Sequence, residues 1–355
     1  MAVEILDALA RQGFEEVIAL HDPHSGLRAF LALHDTSAGP AFGGIRAWTY
    51  QREDEALRDC LRLARAMTAK CVMAGLPAGG GKVVLLDRPE LDREGAYRHL
   101  GRAVERLAGR FYTGPDVGTG PRELAWLADH TRFVTHPGDE GPGQLAESTS
   151  AGVLAGMAAA LRHLDGAERW SERRVVVQGL GEVGSRLARA LVELGAEVHA
   201  AEVDPERAEA LCSELGLVRV DPSRELEGRC DVFAPCALSG ILHDLSIARL
   251  RCRIVAGAAN SVLANPAHGR SLHDRGVLYV PDFLINAGAL IRGARFHLDG
   301  VREDVERIGD QIGAGVTAVL ERAAAEGVPP VEVALREAEA RVAARRAQAR
   351  TGEAP

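Results

Sequence analysis

Residues 174–184 read Arg174-Val-Val-Val-Gln178-Gly-Leu-Gly181-Glu-Val-Gly184, an apolar run that passes directly into a G-x-G-x-x-G pattern. The run predicts a buried strand over 174–178, and the residues that follow predict a helix over about 182–194. A second apolar segment, 197–202, ends on the acidic Glu202, about 20 residues beyond the pattern. Strand, glycine turn, helix and acid in this order predict a dinucleotide-binding βαβ unit.

Each glycine of the pattern has a steric task. Gly179 permits the tight turn, Gly181 lets a pyrophosphate approach the helix N-terminus, and Gly184 lets helix and strand pack closely. Glu182 and Val183, which open the helix, are assigned to the same cofactor site. A glycine-rich turn that binds no ligand is the alternative, and the flanking strands argue against it.

Glu202 bears on which dinucleotide the site prefers. A carboxylate there accepts hydrogen bonds from the adenosine ribose hydroxyls. It also repels a 2′-phosphate, so we predict NAD in preference to NADP.

The order of elements predicts an α/β fold of two domains with a cleft between them. A chain of 355 residues is long for one core. A stretch dense in Gly and Pro at 136–147 separates a first part of mixed strands and helices from a second part in which predicted helices and strands alternate. We expect an N-terminal α/β substrate and oligomerisation domain at 1–145. A Rossmann-type, doubly wound dinucleotide-binding domain is expected at 146–325. The C-terminal helix, 326–355, is expected to return to the first domain.

The first domain mixes strands with helices. Strands are predicted at 16–20 and 27–33, and an amphipathic helix at 54–69. A Gly/Pro-rich loop over 74–81 is predicted to lead into a strand over 82–86. Later strands, in the second domain, are predicted at 218–220, 231–234, 253–257 and 277–280.

Composition excludes several classes of partner. Aromatics make up only 4% of the residues and the formal net charge is -8, so nucleic acid is not an expected partner. No apolar run approaches the roughly 20 residues of a membrane span, and the N-terminus does not resemble a signal peptide. The six cysteines are scattered without a CxxC, which predicts free thiols, no metal site and a cytoplasmic protein.

Two charged residues in the first domain are candidates for acid/base chemistry. Lys82 follows three glycines, but Leu76 and Val83 break the phosphate-loop pattern. We interpret the glycines as clearing space so that the lysine reaches a small substrate. Asp116 lies in a segment rich in turn residues. A lysine and an aspartate that face one substrate form an acid/base pair, although either residue alone is more often a surface charge.

Nine segments, in this order, resemble the Glu/Leu/Phe/Val dehydrogenase family, and within it the leucine and phenylalanine branch. They cover nearly the whole chain: His21-Asp-Pro23, Gly39-Pro-Ala-Phe-Gly-Gly-Ile-Arg46, Met67-Thr-Ala-Lys70, Gly79-Gly-Gly-Lys82, Gly114-Pro-Asp-Val-Gly-Thr119, Gln178–Gly184, Ala234-Pro-Cys-Ala-Leu238, Ala256-Gly-Ala-Ala-Asn260 and Pro281-Asp-Phe-Leu-Ile-Asn-Ala-Gly288.

The resemblance implies roles at the matching positions. Lys82 corresponds to the catalytic lysine that activates water, and Asp116 to the carboxylate that exchanges protons with the substrate amine. Lys70 corresponds to the lysine that pairs with the substrate α-carboxylate, helped by Asn260. The resemblance also places Gly43 and Gly44 in the substrate cleft and Thr149, Ala237 and Asn286 near the nicotinamide.

The family likeness has departures. Ser261 replaces the second Asn of the family's Ala-Asn-Asn segment, and Ala289 replaces a glycine. The stretch Arg292-Gly-Ala-Arg-Phe296 differs from the family pattern. These changes leave the reaction type intact and put substrate choice in doubt.

Four positions are expected to shape the substrate side-chain pocket: Phe42, Gly114, Leu290 and Gly293. Phe42 stands where glutamate-specific relatives carry a lysine, and Gly293 lacks the hydroxyl of those enzymes. Gly114 resembles the phenylalanine branch. The predicted substrate is an apolar L-amino acid, leucine-like or valine-like, with glutamate disfavoured. Core packing is the other interpretation of Phe42.

The predicted reaction is reversible NAD-dependent oxidative deamination to a 2-keto acid and ammonia, carried out by a homo-oligomer. Three alternatives stay open at this stage. One is an aromatic, phenylalanine or tryptophan, dehydrogenase. A second is another dehydrogenase class on the same cofactor fold, such as a hydroxy-acid enzyme, although no histidine lies in a motif of that kind. The third is a non-catalytic NAD-binding relative, which the retention of Lys70, Lys82, Asp116 and Asn260 disfavours.

Overall fold

The computed structural model describes residues 5–135, 141–237 and 239–351. The predicted domain boundary, 136–147, therefore lies partly outside the described residues. The strands are β1 (Glu16–Asp22), β2 (Leu27–Leu33), β3 (Ala41–Phe42), β4 (Ile45–Trp48), β5 (Gly79–Leu86), β6 (Phe111–Tyr112), β7 (Arg174–Gln178), β8 (Glu197–Ala201), β9 (Val218–Arg219), β10 (Cys230–Pro235), β11 (Cys252–Val255) and β12 (Leu278–Tyr279).

The helices are α1 (Ile5–Gln12), α2 (Glu53–Met73), α3 (Arg93–Glu105), α4 (Pro121–Ala128), α5 (Leu145–Asp165), α6 (Glu182–Glu193), α7 (Pro205–Leu215), α8 (Asp244–Arg249), α9 (His268–Asp274), α10 (Asp282–Ile285), α11 (Gly288–Asp299), α12 (Val305–Glu326) and α13 (Pro330–Thr351). None of them, over the ranges described, is long and apolar enough to cross a membrane.

The chain folds into two compact units. Unit 1 comprises Met1–Gly143, Gly293–Arg302 and Ala338–Pro355, and unit 2 comprises Gln144–Arg292 and Glu303–Glu337. The short piece 293–302, which the sequence analysis assigned to the second domain, thus belongs to unit 1.

Unit 1 contains a mixed sheet in the order β1-β2-β5-β3-β6, with β4 also paired to β5. β2 lies between β1 and β5 and pairs antiparallel with both, whereas β3 and β4 run parallel to β5. Every residue of β5 is buried, which is typical of a central strand covered on both faces. This strand carries Lys82.

The predicted loop over 74–81 is wrong at its end, because β5 begins at Gly79 and not at residue 82. Gly79 pairs with Ala41 and Gly81 with Leu33. A Cβ on Gly80 would lie 2.1 Å from the Thr68 backbone nitrogen of α2. Gly80 therefore lets α2 pack directly on the strand, while Gly79 and Gly81 make room for the Asp35 carbonyl and the Phe111 ring. Glycine composition alone does not distinguish this packing role from a loop.

Unit 2 contains a fully parallel sheet in the order β12-β11-β10-β7-β8-β9. The chain extends the sheet in one direction from β7 through β8 and β9, and in the other through β10 to β12. In such sheets, ligands bind at the carboxyl ends of the strands where the order reverses. The prediction of an α/β fold with a Rossmann-type sheet is confirmed.

Candidate active site and dinucleotide site

The predicted acid/base residues of unit 1 lie side by side. Lys82 projects from β5, and Asp116 lies in the turn after β6. Lys82 Nζ is 2.6 Å from Asp116 Oδ2, and the two side chains are only 6% and 13% exposed. An amine and a carboxylate at hydrogen-bond distance can pass a proton between them and a bound substrate.

Two adjacent glycines bring the Asp116 turn close to β5. Gly43 and Gly44 lie between β3 and β4, both of which pair with β5. A Cβ on Gly43 would lie 1.8 Å from the Gly81 carbonyl oxygen, and one on Gly44 would lie 2.4 Å from that of Pro115. Side chains at these positions would therefore displace the Asp116 turn from Lys82.

Arg46, which has no role predicted from the sequence, also contacts Asp116. Arg46 Nε donates to Asp116 Oδ2 at 3.2 Å, and Arg46 Nη1 donates to Asp59 Oδ2 at the same distance. The sequence shows Arg46 only as a charged residue between the apolar Ile45 and Ala47, and the structure shows that its side chain is largely covered. Arginine is rarely covered without a partner anion.

The charges around Asp116 keep it ionised. Burial would raise the pKa of this carboxyl, but Lys82 and Arg46 outweigh burial, and the pKa lies below its ordinary value. Lys70 is in the last turn of α2 and is half-buried.

An aromatic and polar cluster surrounds the predicted side-chain positions Phe42, Gly114 and Gly293. Phe42 is 3% exposed, and its ring stacks on Tyr112 with centroids 5.0 Å apart. Tyr112 in turn lies 4.7 Å from the ring of His297.

Thr135 links the two predicted glycines of this cluster. A Cβ on Gly114 would lie 3.3 Å from the Thr135 carbonyl oxygen, and one on Gly293 would lie 3.1 Å from Thr135 Cγ2. Thr135 Oγ1 and His297 Nε2 form a hydrogen bond of 2.7 Å. Sequence reasoning missed Tyr112, Thr135 and His297, because residues distant in the chain give no pattern that unites them. Leu290, also predicted here, is half-buried on α11 in unit 2.

The glycine pattern of unit 2 has the geometry of a phosphate-binding turn. Gly179 has φ +87° and directly follows β7. A Cβ on Gly184 would lie 2.0 Å from the Gly179 carbonyl oxygen, whereas a Cβ on Gly181 would meet nothing within 4 Å. The first residues of α6, Glu182 and Val183, thus follow a turn with open space in front of its backbone.

Glu202 is buried directly behind this turn. Its Oε2 accepts from the Leu180 backbone N–H at 2.7 Å, and its Oε1 accepts from that of Asp204 at 3.0 Å. Arg207 Nη1 is 3.7 Å from the carboxylate. A carboxylate has capacity for further donors such as ribose hydroxyls.

The other predicted cofactor residues lie in the same unit. Ala237 packs against Gly179, whose added Cβ would lie 2.6 Å from the Ala237 Cβ. The Thr149 hydroxyl accepts from the Ala289 N–H at 3.2 Å and donates to the Leu145 carbonyl.

Asn286 and Asn260 are in contact. Asn286 Nδ2 donates to Asn260 Oδ1 at 2.9 Å and to the backbone carbonyl of Ala258 at 3.0 Å. Asn286 Oδ1 is buried and has no hydrogen-bond partner among the residues that the structure describes. A buried amide oxygen of this kind is suited to accept from a ligand donor such as a carboxamide. Together with the open glycine turn, it makes unit 2 fit a nicotinamide dinucleotide.

The departures from the family pattern have structural correlates. Ser261 has φ +50°, in the left-handed region that Asn adopts more readily than Ser. Arg292 lies on α11, and its Nη1 donates to Ser148 Oγ at 3.1 Å.

Within the described ranges, no group of three or more His, Cys, Asp or Glu side chains is arranged to hold a metal ion.

A buried Lys–Asp pair on one α/β unit and a glycine turn on a parallel sheet define a dehydrogenase with a dinucleotide-binding unit. Two family models match this chain. The dimerisation domain of Glu/Leu/Phe/Val dehydrogenases matches residues 14–133. The Glutamate/Leucine/Phenylalanine/Valine dehydrogenase model matches residues 141–221 and 208–295.

Individual proteins of this family are similar to the chain over nearly its whole length. The chain is 38% identical to a leucine dehydrogenase of Thermoactinomyces intermedius, over 96% of this chain and 94% of that protein. It is 40% identical to a phenylalanine dehydrogenase of the same organism, over 93% and 92%. The crystal structure of L-tryptophan dehydrogenase from Nostoc punctiforme superposes with a TM-score of 0.83, at 37% identity, covering 96% of this chain and 99% of that one.

The chain therefore belongs to the Glu/Leu/Phe/Val dehydrogenase family. It is an amino-acid dehydrogenase, an oxidoreductase of a family that uses NAD(P).

Proposed function

We propose that this enzyme catalyses the reversible NAD-dependent oxidative deamination of an apolar L-amino acid to the 2-keto acid and ammonia. The observation that carries the proposal is the buried pair of Lys82 and Asp116, 2.6 Å apart. Deamination needs one group to take a proton from the substrate ammonium and another to activate water. A carboxylate beside an amine supplies both.

The proposed residues act in sequence on the substrate. Asp116 accepts a proton from the α-ammonium group, so that nitrogen can form a double bond to Cα. The bound nicotinamide supplies the hydride acceptor for the Cα hydrogen. Lys82, in its neutral amine form, takes a proton from water as the water oxygen attacks the imine carbon. Asp116 then returns its proton to the amine nitrogen, the C–N bond breaks, and the hydroxyl proton leaves with the ammonia as ammonium, so that the keto acid remains. Following the family likeness, Lys70 and Asn260 are assigned to the substrate carboxylate.

We propose NAD rather than NADP because of Glu202. The carboxylate is held in place by two backbone N–H groups at the end of β8. A 2′-phosphate near this fixed charge would be repelled. Gly179, Gly181, Glu182, Val183 and Gly184 are assigned to the pyrophosphate, and Thr149, Ala237 and Asn286 to the nicotinamide end.

The apolar substrate class rests on the side-chain cluster of unit 1. The Phe42 ring is buried and stacks on Tyr112. A phenylalanine at this position offers no cation to a γ-carboxylate. Burying an unpaired carboxylate there costs several kcal/mol, roughly 2–7 kcal/mol for a polar group without a partner. Each buried methylene contributes about 0.8 kcal/mol instead. Because Phe42 refills the room left by Gly114, leucine-like and valine-like side chains are favoured.

A second candidate substrate class is aromatic. The rings of Phe42, Tyr112 and His297 lie within 6.3 Å of one another, and stacked or edge contacts with a substrate ring would be favourable. Phenylalanine or tryptophan is therefore the alternative to leucine.

Assembly and location complete the proposal. One family model that matches unit 1 describes a dimerisation domain, and we propose that the enzyme is a homo-oligomer. A cytoplasmic location suits a chain whose six cysteines are free thiols.

The decisive experiment is ammonia-dependent reductive amination, followed as NADH or NADPH oxidation. The substrates are 4-methyl-2-oxopentanoate, 3-methyl-2-oxobutanoate, phenylpyruvate, indole-3-pyruvate and 2-oxoglutarate. We expect kcat/KM to be highest for an aliphatic keto acid, negligible for 2-oxoglutarate, and at least about tenfold higher with NADH. Efficient turnover of 2-oxoglutarate would overturn the apolar class, and equal use of NADPH would overturn the role of Glu202.

A further inference from the structure

A connected series of charged contacts leads from helix α2 to the acid/base pair. Tyr50 OH donates to Asp59 Oδ2 at 2.7 Å. The same Asp59 oxygen accepts from Arg46 Nη1 at 3.2 Å, and Arg46 Nε donates to Asp116 Oδ2, also at 3.2 Å. Asp116 Oδ2 is the oxygen that Lys82 contacts. The side chains of Arg46, Asp59 and Asp116 are all less than a fifth exposed.

The geometry restrains the Asp116 carboxylate from two sides. Lys82 approaches from β5, and Arg46 approaches from β4, the neighbouring strand. The guanidinium is planar and rigid, so fixing Nη1 on Asp59 also sets the direction of Nε. Without Arg46, Asp116 would lose one of the two cations at its Oδ2 and could rotate more freely about its side-chain torsions.

We infer that Arg46 is a positioning residue of the acid/base centre, which orients the Asp116 carboxylate for proton exchange and is itself held by Asp59 and Tyr50. This inference rests on the proposed roles of Lys82 and Asp116. The resemblance to the family assigned no role to any of these three supporting residues.

The electrostatics agree with this geometry. Burial would lower the pKa of Arg46, but Asp116 and Asp59 outweigh burial and raise it. For Asp116, burial raises the pKa, and the Lys82 and Arg46 charges more than reverse that effect. The charged and titratable groups near Asp116 are Lys82 from β5 and Arg46 from β4, with Asp59 and Arg62 of α2 and Tyr50 behind Arg46.

The test compares the pH profiles of kcat/KM for Arg46→Gln, Arg46→Lys and wild type. Loss of the Arg46 charge removes one of the cations that hold the pKa of Asp116 below its ordinary value, so the pKa of this carboxyl rises. In Arg46→Gln we therefore expect the acid limb to move to higher pH by about one unit and kcat to fall at least about tenfold. Arg46→Lys keeps the charge and should restore the position of the limb while kcat stays low.

A matched control separates positioning from general stability. Arg173 is similarly covered and also bridges two carboxylates, with Asp165 at 2.9 Å and Asp231 at 3.4 Å, but in unit 2. Arg173→Gln should lower the melting temperature and leave the acid limb in place. If Arg46→Gln folds poorly, the double variant Arg46→Gln/Asp59→Asn removes the acid that Arg46 had paired and should show a shift in the same direction, smaller because a negative charge is lost as well.

The outcomes are distinct. An acid limb within about 0.2 pH unit of wild type in Arg46→Gln and in the double variant would overturn the inference. So would an equal shift in Arg173→Gln, because that would reflect stability alone. If Lys82→Ala retained turnover, the proposed function of the pair would fail instead.

Discussion

The acid/base centre of unit 1 and the glycine turn of unit 2 are built from different parts of the polypeptide. In unit 1 the atoms proposed to exchange protons belong to side chains. Opposite charges keep these side chains together, because Lys82 and Arg46 both contact Asp116. In unit 2 they belong to the backbone, and the absence of side chains at Gly181 and Gly184 leaves room for them. A site made of charges is sensitive to charge and protonation. A site made of backbone is sensitive to a single methyl group.

The largest expected effect is in the charged site. Lys82→Ala should lower kcat roughly a thousandfold or more, because Lys82 is the group that we propose takes the proton from water. NADH affinity, measured by fluorescence titration, should stay within about twofold, since the lysine lies in unit 1. Retention of more than a tenth of wild-type turnover would contradict the role assigned to Lys82.

The glycine turn offers a matched pair of substitutions. Gly181 has φ −69°, and an added Cβ meets nothing, so Gly181→Ala should fold normally and weaken NADH binding at least about tenfold. Gly184→Ala would bring a Cβ to 2.0 Å from the Gly179 carbonyl oxygen. We expect it to destabilise the protein by about 1–3 kcal/mol.

Calorimetry and NADH titration on both glycine variants check this contrast. If Gly181→Ala bound NADH as tightly as wild type, the open space before the turn would not be where the pyrophosphate lies. A fully stable Gly184→Ala would show that α6 shifts to relieve the contact.

Substitutions of Phe42 test whether the shape or the charge of the proposed side-chain pocket governs substrate preference. Phe42→Ala should raise kcat/KM for phenylpyruvate or indole-3-pyruvate relative to 4-methyl-2-oxopentanoate by about tenfold, since it opens the space beside Gly114. Phe42→Lys should gain measurable 2-oxoglutarate activity, because it adds a cation. Unchanged preferences in both variants would show that Phe42 is core packing and not part of the pocket.

The smallest effect is the acid sensitivity of unit 1. His34 is buried with Nδ1 2.8 Å from Thr68 Oγ1, and burial, aided by the Arg346 charge, lowers the pKa of His34 to about 4. Between pH 6.5 and 4 the unfolded chain binds a proton that the folded one does not, so stability falls as pH drops through this window.

In His34→Gln this contribution disappears. The fall in melting temperature from pH 7.5 to pH 5 should then be smaller than in wild type, by about 3 °C. Equal falls in the two proteins would mean that His34 takes up its proton while the protein is folded. A Gly184→Ala variant, whose defect is steric, should retain the wild-type pH dependence.

Sequence alone determined the features that are local in the chain. The pattern around Gly179, the parallel βαβ order and the family motifs identified an α/β amino-acid dehydrogenase, because a glycine turn between strand and helix is encoded within a dozen neighbouring residues. The glycines before Lys82 show the limit of that reasoning. Their composition predicts a loop, yet they belong to β5, where the Asp35 carbonyl, the Thr68 backbone and the Phe111 ring leave no room for side chains.

What the tertiary structure decided is which distant residues meet. Arg46, Asp59 and Asp116 are separated by 13 and 57 positions, as their numbers show, and no periodicity links them. Thr135 and His297 are 162 positions apart and share a hydrogen bond. Such contacts depend on the pairing of β3 and β4 with β5 and of β6 with β3, which no single segment encodes. The reaction class could therefore be predicted from the sequence. The contact of Arg46 with Asp116 and the packing of Tyr112 and His297 around Phe42 are seen only in the fold.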